Sequence, residues 1–330
     1  MCPGTHRTEP VRRSAPGRAS VGAGGTVRRV KIRIGYGLGT RTETNDGDSF
    51  GAFVDDLERL GFDSLWLSER VSGEAPDPLI ALAFAAARTT RLKLGMSVLV
   101  LPGRNPVLLA EELATLDRLS NGRLLPAFGL GVADPHEQQA FGVARGERAE
   151  IFDEALPLLR RLWTEDAVDH DGTWFRYEGI RVNPKPVQQP LDLWLGGIAP
   201  SELRRVGRLG DGWLPSFCTA SDLATAIPAV VETAAAHDRE IDPEHFGALV
   251  AYATGPIPDA LAAIVARRRP DLDDPTDLIP NGLPALRARI ESMVEAGASK
   301  FVVVPFSEPR PAGWRDELEA VAAELKPLET

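Results

Sequence analysis

From Lys31 onward the chain alternates between two hydrophobic periods. Short apolar runs predict eight strands: KIRIGYG (31–37), DSLWLS (63–68), LKLGMSVLV (92–100), GRLLPAFG (122–129), LDLWL (191–195), GWLP (212–215), FGALVAYAT (246–254) and KFVVV (300–304). Stretches with helical spacing separate them. Phe50, Phe53, Val54, Leu57 and Leu60 repeat on one helical face, and Gly61 ends that helix. Pro78 opens a second helix through Ala87, and Pro106 lies in the first turn of NPVLLAEELATLDRL. Further helices are predicted over 147–163, 201–209, 222–237, 258–269, 283–296 and 314–325. Residues 164–190, with Gly172, Gly179, Pro184, Pro186 and Pro190, read as an irregular insertion, and RRRPDLDDPTDLIPNG (267–282) as a polar loop.

Eight strands, each followed by a helix, imply a parallel sheet with right-handed crossovers. At this length the expected fold is α/β, a (β/α)8 TIM barrel with insertion loops, rather than an open sheet. No composition break after residue 31 marks a second domain, so residues 31–330 are expected to form one. Residues 1–30 differ: six arginines stand against one acid among Gly, Pro and Ser, which predicts a disordered basic extension. It includes the twin arginine Arg12-Arg13 but lacks the apolar core of a signal peptide.

A net charge of −10, and no basic stripe interleaved with aromatics, argues against nucleic-acid binding. No apolar run reaches the roughly 18 residues that a membrane span needs. Cys2 and Cys218 make no disulfide framework, so a reducing cytoplasm is the expected location.

Barrel chemistry collects at the carboxyl ends of strands. Those ends carry Ser68-Glu69-Arg70, Ser97-Val98, Gly129-Leu130-Gly131, Gly196-Gly197 and Leu214-Pro215-Ser216. The two glycine-rich ends suit a phosphate cradle, although each also suits a tight barrel turn. GYGLG (35–39) has the wrong spacing for a dinucleotide fingerprint and no helix directly after it. The five histidines are scattered, so no metal site is expected, and there is no G-x-S-x-G elbow. Lys93 and Lys300 lie at strand starts, the wrong side for a lysine-dependent aldolase or isomerase. Acid–base work or an organic cofactor remains. Trp66 and Trp194 read as core, Trp213 as core or cofactor stacker, and Asp211 as a brace before the sixth strand.

GFDSLWLSER, RTTRLKLGMSVLVLPGRNPVLLAEELATLDRLSNGRLLPAFGLG, LRRLWTEDAVDHDGTWFRYEGIRVNPKPVQQPLDLWLGG and GRLGDGWLP, in that order, resemble the bacterial-luciferase-like family of flavin- and deazaflavin-dependent oxidoreductases. The resemblance spans about residues 31 to 325. It implies a ring seated in the barrel mouth against a bulge in GMSVL, with a cis peptide at Ser97–Val98. It places a phosphate near Gly129, Gly131, Gly196, Gly197, the helix start at Ser201, and Ser216. Relatives often end the second strand with an acid and a histidine; here Glu69 keeps the acid and Arg70 replaces the histidine. Arginine cannot shed a proton near neutral pH, so Arg70 would hold a substrate carboxylate, stack on a ring, or pair with Glu69. Glu69 and Arg70 are the candidate catalytic residues.

The resemblance favours coenzyme F420 and hydride transfer to or from a small organic substrate. FMN is the alternative, in a two-component monooxygenase fed FMNH2 by a separate reductase. A non-catalytic flavin-binding protein is the third reading. The insertions at 164–190 and 269–282 would serve as lids, as passive packing or as dimer contacts, and the resemblance implies a homodimer.

Overall fold

The computed structural model describes residues 30–39, 46–306 and 313–330. The expected basic extension lies, apart from Val30, outside the described residues. Elements follow in this order: β1 (Arg33–Gly37), α1 (Gly47–Leu60), β2 (Ser64–Leu67), α2 (Pro78–Arg88), β3 (Lys93–Met96), β4 (Leu99–Val100), α3 (Pro106–Leu119), β5 (Leu124–Leu125) and β6 (Ala127–Gly129). Next come α4 (Pro135–Phe141), α5 (Arg148–Thr164), β7 (Val168–Asp171), β8 (Arg176–Ile180), β9 (Trp194–Leu195), α6 (Pro200–Leu209), β10 (Gly212–Trp213) and α7 (Ala220–Ala235). The chain continues with β11 (Gly247–Tyr252), α8 (Asp259–Arg268), α9 (Leu283–Glu295), β12 (Lys300–Pro305) and α10 (Gly313–Leu325).

The fold is the expected TIM barrel. One parallel sheet runs β11-β12-β1-β2-β3-β5 and a second runs β10-β9-β6-β4. The third strand breaks at Ser97–Val98 into β3 and β4, and the fourth breaks at Pro126 into β5 and β6, so these two strands belong to both sheets. Parallel bridges Trp213–Phe246 and Ser216–Leu249 join β10 to β11. Eight strand positions therefore follow one another round the barrel.

Local chemistry sets the ends. The Asp46 side chain accepts from the N–H groups of Asp48 and Ser49 to start α1, and Gly61 closes it in the left-handed region at φ 74°. Asn105 caps α3 in the same way ahead of Pro106. Inside the barrel, bulk is matched to glycine. Trp66 stands opposite Gly95 in the β2–β3 register and Trp194 opposite Gly212 in β9–β10. A Cβ on Gly95 would come within 2.2 Å of the Trp66 ring, so the strand glycines there make room for indoles. Both tryptophans are core, as expected.

The starts of the strands form the barrel floor. There Asp63 accepts from Lys93 Nζ at 3.0 Å and from Lys300 Nζ at 2.9 Å. Asp211 braces the approach to β10, accepting from the Leu193 N–H and pairing with Arg160 and Arg239. Two expectations need correction. Residues 164–190 are not wholly irregular, because β7 and β8 form an antiparallel hairpin. The loop at 267–282 is not wholly polar, because Leu278 and Ile279 are buried.

Candidate active site

The carboxyl ends of the strands open on a cavity of about 480 Å³, within the usual range for a cofactor or ligand site. Its apolar wall comes from Val98, Leu195, Leu214, Leu249 and Val304. Ser68, Ser97 and Ser216 add hydroxyls, and Arg70, Arg205, Arg268 and Arg269 add cations. Glu69 and Glu202 are the acids that line it.

Val98 is held in this wall by its neighbours. The Ser97–Val98 peptide is cis, as expected. The Ser97 N–H donates to the Leu67 carbonyl at 2.8 Å, and the Glu69 N–H to the Val98 carbonyl at 3.2 Å. Ser68 Oγ donates to the Ser97 carbonyl at 2.9 Å.

Glu69 and Arg70 do not pair. Successive residues at a strand end point apart, so the two side chains find different partners. The Glu69 carboxylate accepts from the Val100 N–H at 2.7 Å and from Arg104 Nη2. Burial pushes the Glu69 carboxyl above its ordinary range, against the opposing pull of Arg104 and the Val100 N–H. Arg70 lies 3.6 Å from Asp134 and 3.8 Å from Glu137.

The glycine-rich ends serve packing as well as the cavity. A Cβ on Gly129 would stand 2.5 Å from Val98 Cγ2, so that glycine makes room for the valine. Gly131 lies at φ 79°, and the carbonyls of Leu130 and Gly131 are turned to Arg148. Gly197 lies at φ 92°, where a Cβ would stand 2.5 Å from the Glu202 carboxylate. That carboxylate accepts from the N–H groups of Ile198 and Ala199, both at 2.9 Å, and so occupies the positive end of α6. Gly129, Gly131, Gly196, Gly197 and Ser216 all line the cavity. Ser201 does not: it is exposed in the first turn of α6, and the cavity takes its neighbour Glu202 instead. Trp213 is buried, off the cavity, with Nε1 donating to the Gly197 carbonyl at 2.8 Å. Cys218 lines the cavity, but burial pushes its thiol up to about 12, so it is neutral at ordinary pH.

The sequence profile of the family described as luciferase-like monooxygenase matches residues 29–324. The chain belongs to the luciferase-like monooxygenase family. A protein of Beutenbergia cavernae named F420-dependent glucose-6-phosphate dehydrogenase is 30% identical, covering 82% of this chain and 90% of that protein. A protein of the same name from Kineococcus radiotolerans is 33% identical, covering 54% of this chain and 56% of that protein. Against further proteins of that name the chain likewise spans little more than half their length. The solved coenzyme F420 dependent tetrahydromethanopterin reductase of Methanopyrus kandleri superposes with a TM-score of 0.71 at 18% identity, covering 90% of this chain and 100% of that chain. That likeness is one of fold.

Several residues in and around this luciferase-like cavity were missed by sequence reasoning. Arg104, which lies outside the lining and holds the Glu69 carboxylate, sits in GRNP within a recognised segment and offered no signal beyond its charge. Glu202 follows Ser201 and reads as an ordinary first-turn acid. Arg268 belongs to the run 267–269, where the sequence does not say which arginine faces inward.

Proposed function

We propose that this chain catalyses hydride transfer between coenzyme F420 and a small organic substrate. The observation that carries the reading is an apolar-walled cavity at the carboxyl ends of the strands, lined also by the glycine-rich ends after β6 and β9, which suits a planar heterocycle with a phosphate-bearing tail. Relatives named as F420-dependent support that cofactor over FMN. F420, when bound, supplies a ring carbon that gives or accepts a hydride. Ser97 and Val98 seat the ring, while Leu195, Leu214, Leu249 and Val304 keep water from it. Gly129, Gly131, Gly196, Gly197 and Ser216 would lie near the phosphate of a bound cofactor, and Ser201 would act only through the turn that carries Glu202. Glu69 is a positioning residue, holding β4 and Arg104 in place. Arg70 touches substrate without exchanging its proton. None of the four described histidines lines the cavity.

Titration of the purified protein with oxidised F420 and, separately, with FMN tests this. Dissociation constants in the order of micromolar are expected for F420, with FMN at least about tenfold weaker. Preference for FMN would sink the reading and turn the search to a flavin reductase.

The chain is also proposed to be a cytoplasmic homodimer. Among the described residues no helix is long and apolar enough to cross a membrane. Ile80 is 74% and Leu108 58% exposed, and Phe84 is exposed as well, on α2 and α3, which pack against each other. An apolar patch on paired helices suits a second copy. Light scattering should report a dimer, and Ile80→Glu with Leu108→Glu should shift it to monomer at micromolar protein. An unchanged mass would place the interface elsewhere.

A further inference from the structure

The four arginines of the cavity are not equivalent. Arg205 donates to Asp153 and lies over the Phe152 ring. Arg269 is tied to Asp222 and Asp271, both at 2.7 Å, and to the Phe217 carbonyl at 2.9 Å. These two hold the walls together, and their forks are filled.

Arg70 and Arg268 are different. The carboxylates near Arg70 stand beyond hydrogen-bond length, and its hydrogen bond to Ser72 Oγ is long at 3.4 Å. Glu137 already accepts from the N–H groups of Val71 and Ser72 and from the Ser72 hydroxyl. Among the described residues Arg268 has neither an ion pair nor a hydrogen bond. Its guanidinium lies 4.7 Å from the centre of the Phe217 ring, a face that fixes its plane without using its N–H donors. Although the side chain stays solvent-accessible, loss of water lowers its pKa first, then the neighbouring charges of Arg267 and Arg70. The acid that opposes this, Glu202, has its carboxylate engaged at the start of α6.

Two guanidiniums line one cavity with donors to spare, and an anion bound there would satisfy them. Planar forks bind carboxylate and phosphate oxygens in pairs, with charge-assisted bonds about twice as strong as neutral ones. Arg70 also directly follows Ser68 and Glu69, whose contacts fix the Ser97–Val98 seat. An anion held there lies beside the ring. The glycine-rich ends after β6 and β9 belong to the fourth and fifth strand positions, away from the second that delivers Arg70.

We propose that Arg70 and Arg268 form an oxyanion subsite that selects substrates bearing a carboxylate or phosphate group. This rests on the proposed F420-dependent reaction and names its substrate class. The cofactor's own anionic tail offers the same chemistry, so the test separates the two sources.

The probe is inorganic phosphate, titrated by calorimetry into the full chain saturated with F420. The forms compared are wild type, Arg70→Gln, Arg268→Gln and Arg268→Lys. Wild type should bind one phosphate, each glutamine variant should weaken it by roughly tenfold, and the lysine variant should recover part of the loss. F420 affinity should stay within about twofold throughout. Equal phosphate binding in all forms would overturn the subsite. So would a tenfold loss of F420 affinity in the glutamine variants with 8-hydroxy-5-deazariboflavin, which lacks the phosphate and glutamates, unaffected; the arginines would then hold the tail. Circular dichroism melting of each variant checks the fold. If wild type fails to bind F420, the cofactor reading fails by itself, and phosphate titrated into the free protein still decides the arginine pair.

Discussion

Asp63→Asn is expected to lower the unfolding free energy by about 3–5 kcal/mol, the usual result of breaking a buried ion pair from one side. Asp63 sits at the start of β2 with its side chain 8% exposed, and Lys300 opposite is 7% exposed. One carboxylate serves both Lys93 and Lys300, accepts from Ser64 Oγ at 3.0 Å, and has Arg33 at 3.7 Å. Asparagine keeps the shape but removes the charge, leaving Lys300 buried without compensation. Burial already lowers the Lys300 pKa, with Asp63 as the largest opposing influence. Denaturant unfolding at pH 7 measures the loss. Arg176→Gln is the control, since that side chain is 78% exposed beside Asp171 and surface pairs are worth about 0–1 kcal/mol.

The same group sets a pH dependence. Lys300 and Lys93 outweigh burial and hold Asp63 at about 2, against 3.8 for an ordinary aspartate. A carboxyl with a depressed folded pKa stabilises the fold above its unfolded value, and that contribution disappears as pH falls through the folded one. Wild type and Asp63→Asn should therefore differ by a constant amount from pH 7 to about 5, and the difference should narrow between about pH 4 and 2. A shift of this size corresponds to about 2–3 kcal/mol. A difference under about 1 kcal/mol at pH 7, or one that persists unchanged to pH 2, would show that the lysines find water or another acid.

The strand that carries Asp63 shows what a sequence discloses. DSLWLS is legible as a buried strand because its apolar run is short and bounded. The alternation of such runs with helical spacing is what gives away the barrel. The breaks in the third and fourth strands are less legible. Pro126 marks one, since proline removes a ladder donor. The break at Ser97–Val98 was expected from family resemblance and not from its spacing. The hairpin of β7 and β8 was hidden because its residues are mostly polar and exposed, with no buried face to impose a period of two. In the site, strand ends together with the family resemblance pointed to Glu69, Arg70, Ser97 and Ser216, all of which line the cavity. Neither disclosed their partners. Which acid an arginine meets depends on elements far apart in sequence, as with Glu69 and Arg104, and whether Arg268 is left open depends on what Asp222 and Glu202 already hold. Charge is readable from sequence; the competition for it is settled only by packing.

Gly129→Ala is the sharpest test of the ring seat. The new Cβ would lie 2.5 Å from Val98 Cγ2. Valine has few rotamers to offer, and Val98 cannot back away, because its flanking backbone is bonded to Leu67, Ser68 and Glu69. Overpacking of this kind costs about 1–3 kcal/mol, and the displaced methyl would enter the space proposed for the ring. F420 affinity is expected to fall by at least about tenfold. Gly196→Ala supplies the contrast, since its Cβ would meet Val98 Cγ1 at an ordinary 3.5 Å, and little change is expected. If close approach of the backbone to the phosphate matters at these two glycines as much as room for Val98, the two variants should lose affinity alike. Adding Val98→Ala to Gly129→Ala restores the room. A double-mutant cycle should then show coupling in stability of about 0.5–3 kcal/mol between positions 129 and 98, with none between 196 and 98. Coupling at 196 in place of 129 would show Val98 packing against the fifth strand and not the fourth, and would refute the role given to Gly129.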